Sequence, residues 1–285
     1  MTNAHSIKTT LLLTITQLKA QGIEAETAKL EAQLLLQHAL NVNHAWLIAH
    51  EHENLPPSIH AAYRAVLQKR LNGEPIAYIL GYRELYGLKL KATSDTLIPR
   101  PDTETLVEAA LAKILRNDNL KILDLGTGTG AIALAIAKHR PFAQVTAIDA
   151  SKNALKIAQE NAQNLQIANV QFILSNWFDA LKNQRFDVIV SNPPYIEEHD
   201  VHLALGDLRF EPLTALASGQ DGLDDIRKII SQAPQHLNPR GWLLLEHGYN
   251  QASLVAALLG QAGFSEIETI KDLGGNDRVT LGRHC

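Results

Sequence analysis

An apolar run, Lys121-Ile122-Leu123-Asp124-Leu125, passes directly into Gly126-Thr127-Gly128-Thr129-Gly130-Ala131 and then into a helical pattern from Ile132 to His139. Few folds accommodate that order. A buried strand that turns at once into a helix through alternate glycines is the opening unit of a doubly wound parallel sheet, where the backbone passes close to a ligand. A second strand, Gln144 to Ile148, ends in Asp149. An acid there accepts hydrogen bonds from both hydroxyls of a ribose, so the glycine turn and Asp149 together point to a nucleoside-containing cofactor. They leave its identity open. Gly126-x-Gly128-x-x-Ala131 also fits the dinucleotide fingerprint, which keeps a nicotinamide oxidoreductase as a rival reading.

Asn192-Pro193-Pro194-Tyr195 follows the apolar run Phe186 to Ser191. It therefore falls at the C-terminal end of a strand, where open α/β sheets place their chemistry. Two prolines remove two backbone donors and restrict the residues before them, leaving a rigid, acceptor-only cradle. The Asn192 side-chain oxygen and a proline-fixed carbonyl accept both N–H bonds of a planar amide or amino group, and the Tyr195 ring packs on its face. Asn192, Pro193, Pro194 and Tyr195 are accordingly the candidate catalytic and substrate-binding residues. A nicotinamide enzyme leaves them without a purpose. A non-catalytic binding module that keeps the cofactor fold stays open on the letters alone.

Around these motifs the chain divides in three. Residues 1–73 show helical spacing, with Ile7, Leu11, Ile15 and Leu18, then Leu30, Leu34 and Ala39, and a further helix from Ser58 to Leu71 that turns Ala62, Val66 and Leu67 inward. Residues 74–96 change to short β-rich runs, Pro75 to Leu80 and Leu85 to Leu90, which predict a hairpin linker. From residue 97 to 285 strands and helices alternate as in a doubly wound sheet, ending in an antiparallel pair, Glu266–Ile270 and Arg278–Gly282. The histidines of the first segment (His38, His44, His50, His52, His60) lack an accompanying cysteine or carboxylate cluster, so no metal site is expected.

A net charge of −4 argues against a dedicated duplex-DNA binder, which more often carries a basic stripe, and so against the DNA adenine methyltransferases that use a similar Asn-Pro-Pro-Tyr motif. The single cysteine, Cys285, excludes a disulfide within the chain. Met1 to Thr10 is polar, and no run reaches the apolar length of a membrane span. The expected location is the cytoplasm.

In order and spacing, Asp124 to Gly130, Asp149 and Asn192 to Tyr195 resemble the S-adenosylmethionine-dependent amino and amide methyltransferases. Leu97-Ile98-Pro99-Arg100-Pro101-Asp102-Thr103-Glu104 is similar to the segment found in the PrmC/HemK family, which methylates glutamine in peptide-chain release factors. A sister family that modifies a ribosomal-protein glutamine usually replaces the Pro101 to Glu104 run. The resemblance implies an α/β fold, the Rossmann-like doubly wound sheet of class I methyltransferases. It also implies a helical substrate-docking domain (1–73), a β-hairpin linker (74–96) and a methyltransferase domain (97–285).

The implied reaction moves a methyl group from S-adenosylmethionine, leaving S-adenosylhomocysteine, to the glutamine side-chain nitrogen of the Gly-Gly-Gln motif. The implied partners are class 1 release factors, met by a monomer without nucleic acid, membrane or metal. Gly126, Thr127, Gly128, Thr129, Gly130, Asp149 and Asn192 are the implied cofactor residues. Trp177 is placed by the resemblance beside the adenine, although core packing accounts for an aromatic there too. Arg100 and the following turn would lie over the methionine end, with Glu104 or Thr103 meeting its ammonium group; a capping box begun by Asp102 or Thr103 fits the same letters. Glu211 is expected to order the loop over the substrate. Leu90-Lys91 departs from the family pattern, which favours an apolar or aromatic residue, and puts a charge beside the expected wall of the site.

Overall fold

The computed structural model describes residues 6–285, which form two compact units, one ending at Gly81 and the other running from Tyr82 to Cys285. The first is helical: α1 (Ile7–Ala20), α2 (Ala25–Leu40), α3 (His44–Ala49), α4 (Pro57–Leu71) and α5 (Ile76–Leu80). Ser6 and Asn43 begin α1 and α3 by accepting the N–H groups of Thr9 and Trp46, satisfying donors that a helix start leaves free. Ile7, Leu35, Leu36, Leu47, Leu55, Tyr63 and Ile79 form the main core of this unit. Two faces are rotated from the expected ones. Leu30 is exposed while Ala28, Ala32 and Leu35 turn inward. On α4 it is Tyr63 rather than Ala62 that is buried, because its hydroxyl finds Thr14.

Pro75 to Leu80, expected as a strand, is helix α5. Pro75 occupies the cap position, and its carbonyl accepts the N–H groups of Tyr78 (3.0 Å) and Ile79 (3.1 Å). Five residues are too few for helical and strand periods to separate. The hairpin lies later than expected, as β1 (Tyr82–Leu85) and β2 (Leu88–Lys91). Its two-residue turn, Tyr86-Gly87, has both residues at positive φ, the geometry that matches the twist of paired strands.

The rest of the second unit contains α6 (Glu104–Lys113), β3 (Lys121–Leu125), α7 (Ala131–His139), β4 (Gln144–Asp149), α8 (Lys152–Asn164), β5 (Val170–Leu174) and β6 (Phe186–Ser191). There follow α9 (Asp224–His236), β7 (Leu237–Glu246), α10 (Ala252–Gln261), β8 (Ser265–Lys271) and β9 (Asp277–Arg283). Seven strands make one sheet in the order β5-β4-β3-β6-β7-β9-β8. Only β9 runs against the others, pairing antiparallel with both β7 and β8. Strand residues alternate between two cores: Ile122, Val188, Val190 and Leu244 pack with α6 and α7, and Leu123, Leu125, Ile189 and Leu245 with α9 and α10. The chain leaves β3 toward β4 on one side and returns as β6 on the other. That reversal opens a crevice at the carboxyl ends of β3 and β6.

Candidate active site

The strand register aligns the site. Leu125 pairs with Ile148 on one side and Ser191 on the other, and Ser191 pairs with Leu245. The next residue on each strand therefore falls in one row along the sheet edge: Asp149, Gly126, Asn192, Glu246. In front of the row is a cleft of about 440 Å³ lined by Gly126, Gly128, Asp149, Trp177, Asn192 and Pro194, with Asp95 to Leu97 and Pro212, Thr214 and Ala215 completing its rim. That volume is within the range of small-molecule sites.

Gly126 has φ +72°, and a Cβ on it would stand 3.6 Å from the Trp177 ring, so the bare backbone and the indole face each other. Trp177 is held there by its Nε1–H, which donates to Asp225 Oδ1 (3.2 Å), and by the turn in which Ser175 Oγ donates to the Trp177 carbonyl (2.7 Å). Asp149 uses both carboxylate oxygens on backbone donors, Oδ2 from Gly128 (2.9 Å) and Oδ1 from Ser151 (2.8 Å). Burial pushes its carboxyl up, and the N–H groups of Ser151, Gly128 and Ala150 hold it back.

Asn192 donates from Nδ2 to Thr103 Oγ1 (3.3 Å), which leaves its Oδ1 as the free acceptor of a cleft-lining side chain. The segment after it is fixed from behind. The Tyr195 and Ile196 N–H groups donate to Leu216 O (3.2 and 2.9 Å), and Tyr195 O accepts from Gln251 Nε2 (3.0 Å). Pro194 reaches the cleft, whereas Pro193 is buried. Tyr195 packs against the core of α9 and α10 and not along the cleft wall.

Residues 116–271 match the family described as a methyltransferase domain, and residues 11–81 match the PrmC N-terminal domain. The release factor glutamine methyltransferase of Pseudomonas aeruginosa is 50% identical over 260 residues, covering 91% of this chain and 94% of the relative. That of Vibrio cholerae is 47% identical over 280 residues, covering 98% and 97%. The chain belongs to the release factor glutamine methyltransferase family. A methyltransferase from Pyrococcus furiosus shares the fold, with a TM-score of 0.54 at 21% identity over 78% of this chain and 98% of that one. The nicotinamide reading of the glycine turn is thereby set aside.

Within this family member, several expected site residues serve the frame of the cleft instead of its surface. Thr127, Thr129 and Gly130 do not line it. Thr127 Oγ1 donates to Asp124 Oδ2 (2.6 Å), and the Thr129 carbonyl accepts from Asn161 Nδ2 (2.9 Å). Glu104 Oε1 accepts the Tyr86 N–H (2.8 Å), and Glu104 is not among the residues that line the cleft. No capping box forms, because neither Asp102 nor Thr103 makes a side-chain cap bond. Arg100 pairs with Glu211, whose Oε2 accepts the Ile98 N–H (2.8 Å), joining the 97–100 segment to the loop before Pro212. Lys91 pairs with Glu160 (2.6 Å) and Leu90 is buried, so the unusual lysine lies outside the cleft lining.

Other residues carry more than their letters suggested. Asn161, buried on α8, donates to Thr129 O and Lys91 O and accepts the Lys91 N–H (2.7 Å), stitching the hairpin to the glycine turn. A polar residue on an apolar helical stripe was the available signal. Asp124 is fully buried and pushed up to about 7 by burial, with Thr127 and Ala133 opposing and Asp149 adding to the rise; its Oδ1 has no partner. Glu246, an acid ending an apolar strand as Asp149 does, is likewise pushed up to about 7 by burial, held back by Thr103, Arg278 and Tyr195.

Proposed function

We propose that this chain transfers a methyl group from S-adenosylmethionine to the side-chain amide nitrogen of the glutamine in the Gly-Gly-Gln motif of peptide-chain release factors. The observation that carries the reading is the state of Asn192: its nitrogen is tethered to Thr103, and its oxygen remains as an acceptor at the cleft beside the prolines. The residues present fit the cofactor. Gly126 and Gly128 leave bare backbone, Trp177 supplies an aromatic wall, and the Asp149 carboxylate stands at a strand end suited to a ribose. These residues would hold S-adenosylmethionine, with Asn192 toward its methyl-bearing end. When bound, it supplies an electrophilic methyl on a sulfonium.

A glutamine amide nitrogen is a weak nucleophile because its lone pair is delocalised into the carbonyl. The protein's contribution is to hold it. Asn192 Oδ1 accepts one of its protons and a backbone carbonyl of the Pro193-Pro194 segment, whose Pro194 lines the cleft, accepts the other, which raises electron density on nitrogen and fixes its direction of attack. Orientation of this kind supplies about 7–11 kcal/mol in favourable intramolecular cases. The proton departs once the alkylated nitrogen has become acidic.

The helical unit, Ile7–Leu80, is assigned to docking the body of the release factor. Among the described residues no helix is long and apolar enough to cross a membrane, and the single exposed Cys285 suits a reducing cytoplasm. The test is to incubate the purified protein with S-adenosylmethionine and an intact release factor and to sequence the product by mass spectrometry. One methyl group on the Gly-Gly-Gln glutamine, absent when that glutamine is alanine, is expected. An unmodified factor would overturn the reading.

A further inference from the structure

The proline pair of the cradle cannot hold itself. Proline has no N–H, so neither Pro193 nor Pro194 is tied down by a hydrogen bond that it donates. The rings fix φ and restrict the residue before each of them, but rotation about the Cα–C bonds, which turns the carbonyls, is held from the two ends of the pair. At the front, Ser191 is paired in the sheet and Asn192 is tethered to Thr103 (3.3 Å). At the rear, the Tyr195 and Ile196 N–H groups donate to Leu216 O (3.2 and 2.9 Å), and the Tyr195 carbonyl accepts from Gln251 Nε2 (3.0 Å).

Gln251 is buried (6% exposed), and its partners dictate which way its amide points. Its Oε1 accepts the Gly248 N–H (2.8 Å), a group that only donates; its Nε2 faces the carbonyls of Tyr195 (3.0 Å) and Asp221 (3.4 Å), which only accept. A turned amide would set oxygen against two carbonyls and nitrogen against an N–H. Gly222 leaves the room for this contact, since a Cβ on it would stand 2.2 Å from Tyr195 O and 2.8 Å from Gln251 Nε2. We infer that Gln251 is a positioning residue for methyl transfer: by donating to the Tyr195 carbonyl, it anchors the rear of the proline pair and so fixes the direction of the backbone carbonyl that accepts the second proton of the substrate amide. Gln251 does not line the cleft, so the cofactor is not its target. The inference rests on the glutamine-amide reading of the site.

Gln251→Leu and Gln251→Glu test it in the full-length protein with intact release factor. Leucine removes the hydrogen bonds at similar size. A protonated glutamate reproduces the pattern of the amide, with a hydroxyl for Tyr195 O and an oxygen for the Gly248 N–H; an ionised one has no donor left. Single-turnover rates at saturating cofactor and release factor should fall about tenfold in Gln251→Leu, and about 10- to 100-fold in Gln251→Glu near pH 8.5, where an ionised oxygen meets two carbonyls. Near pH 6 the Gln251→Glu rate, taken as a ratio to wild type at the same pH, should return to within about threefold of unity. His247, whose Nδ1 meets Gly248 O, and Asp221, paired with Arg227, are common to both enzymes and cancel in that ratio. Affinity for S-adenosylhomocysteine should change by less than about threefold throughout, and rates are compared where thermal melts show both enzymes folded. A folded Gln251→Leu enzyme at full rate, a Gln251→Glu ratio that does not move with pH, or a loss confined to cofactor or release-factor affinity would each overturn the inference. If Gln251→Leu does not fold, the pH ratio of Gln251→Glu decides. Methylation by the wild-type enzyme, measured alongside, tests the underlying reading separately.

Discussion

Asp149→Ala and Asp149→Asn separate what one carboxylate does for the glycine turn from what it does for the cofactor. Both of its oxygens already accept backbone N–H groups, from Gly128 and Ser151, and the remaining lone pairs are those proposed to meet a ribose. In the asparagine variant, whichever way the amide turns, an NH2 group faces a backbone donor, so one charge-assisted bond worth about 1.5–3 kcal/mol is lost. The alanine variant loses every acceptor. Losing the ribose bonds at the same energy scale weakens S-adenosylhomocysteine binding about 10- to 100-fold in Asp149→Ala, with Asp149→Asn between it and wild type. The unfolding midpoint should drop by about 2–4 °C for each kcal/mol lost from the turn. Titration calorimetry with the product avoids turnover and reads the affinity directly. If Asp149→Ala folds and binds with wild-type affinity, the carboxylate serves the turn alone and the ribose assignment is wrong.

Three further outcomes are expected. Gly222 has φ +73°, and a Cβ on it would lie 2.2 Å from the Tyr195 carbonyl, so Gly222→Ala should destabilise by about 2–4 kcal/mol and slow turnover, read by thermal melts and initial rates. Stability should depend on pH. The folded pKa values of Asp124 and Glu246 are both raised, so their contribution is full below the ordinary carboxylate range and is lost as pH rises through about 7, a slope that Asp124→Asn should flatten in melts from pH 5 to 8. A chain beginning at Tyr82, the start of the second compact unit, should retain cofactor binding but methylate intact release factor at least tenfold more slowly, a rough bound for losing about 1.4 kcal/mol of docking energy; an undiminished rate would remove docking from the helical unit.

What the letters conveyed was local chemistry. The glycine turn, Asp149 and Asn192 to Tyr195 each announce themselves over a few consecutive residues, because backbone approach and proline stiffness are properties of short segments. The partners that give those segments their function are distant in the chain. Thr103 and Asn192 are 89 positions apart, and only the strand register places Glu246, an ordinary strand-end acid, level with Asn192. Glu104 shows the converse: an acid in a diagnostic run has one carboxylate oxygen on the hairpin backbone. Pro75 to Leu80 resembles a strand in its letters because isoleucine and tyrosine favour strands, and the proline that caps a single helical turn carries no period to contradict them.

The central claim is that Asn192 accelerates transfer by offering an oriented neutral acceptor to the glutamine amide. Asn192→Asp nearly preserves shape, removes the donor that reaches Thr103 (3.3 Å) and replaces a neutral acceptor with a charged one. The direct measurement is the single-turnover rate of Asn192→Asp with cofactor bound and intact release factor saturating. A fall of about 10²–10³ is expected, with cofactor affinity much less affected, by comparison with removing one preorganised polar group from an active site. A variant that transfers its methyl group at the wild-type rate would mean that Asn192 merely caps its strand, and the amide-positioning account would be wrong.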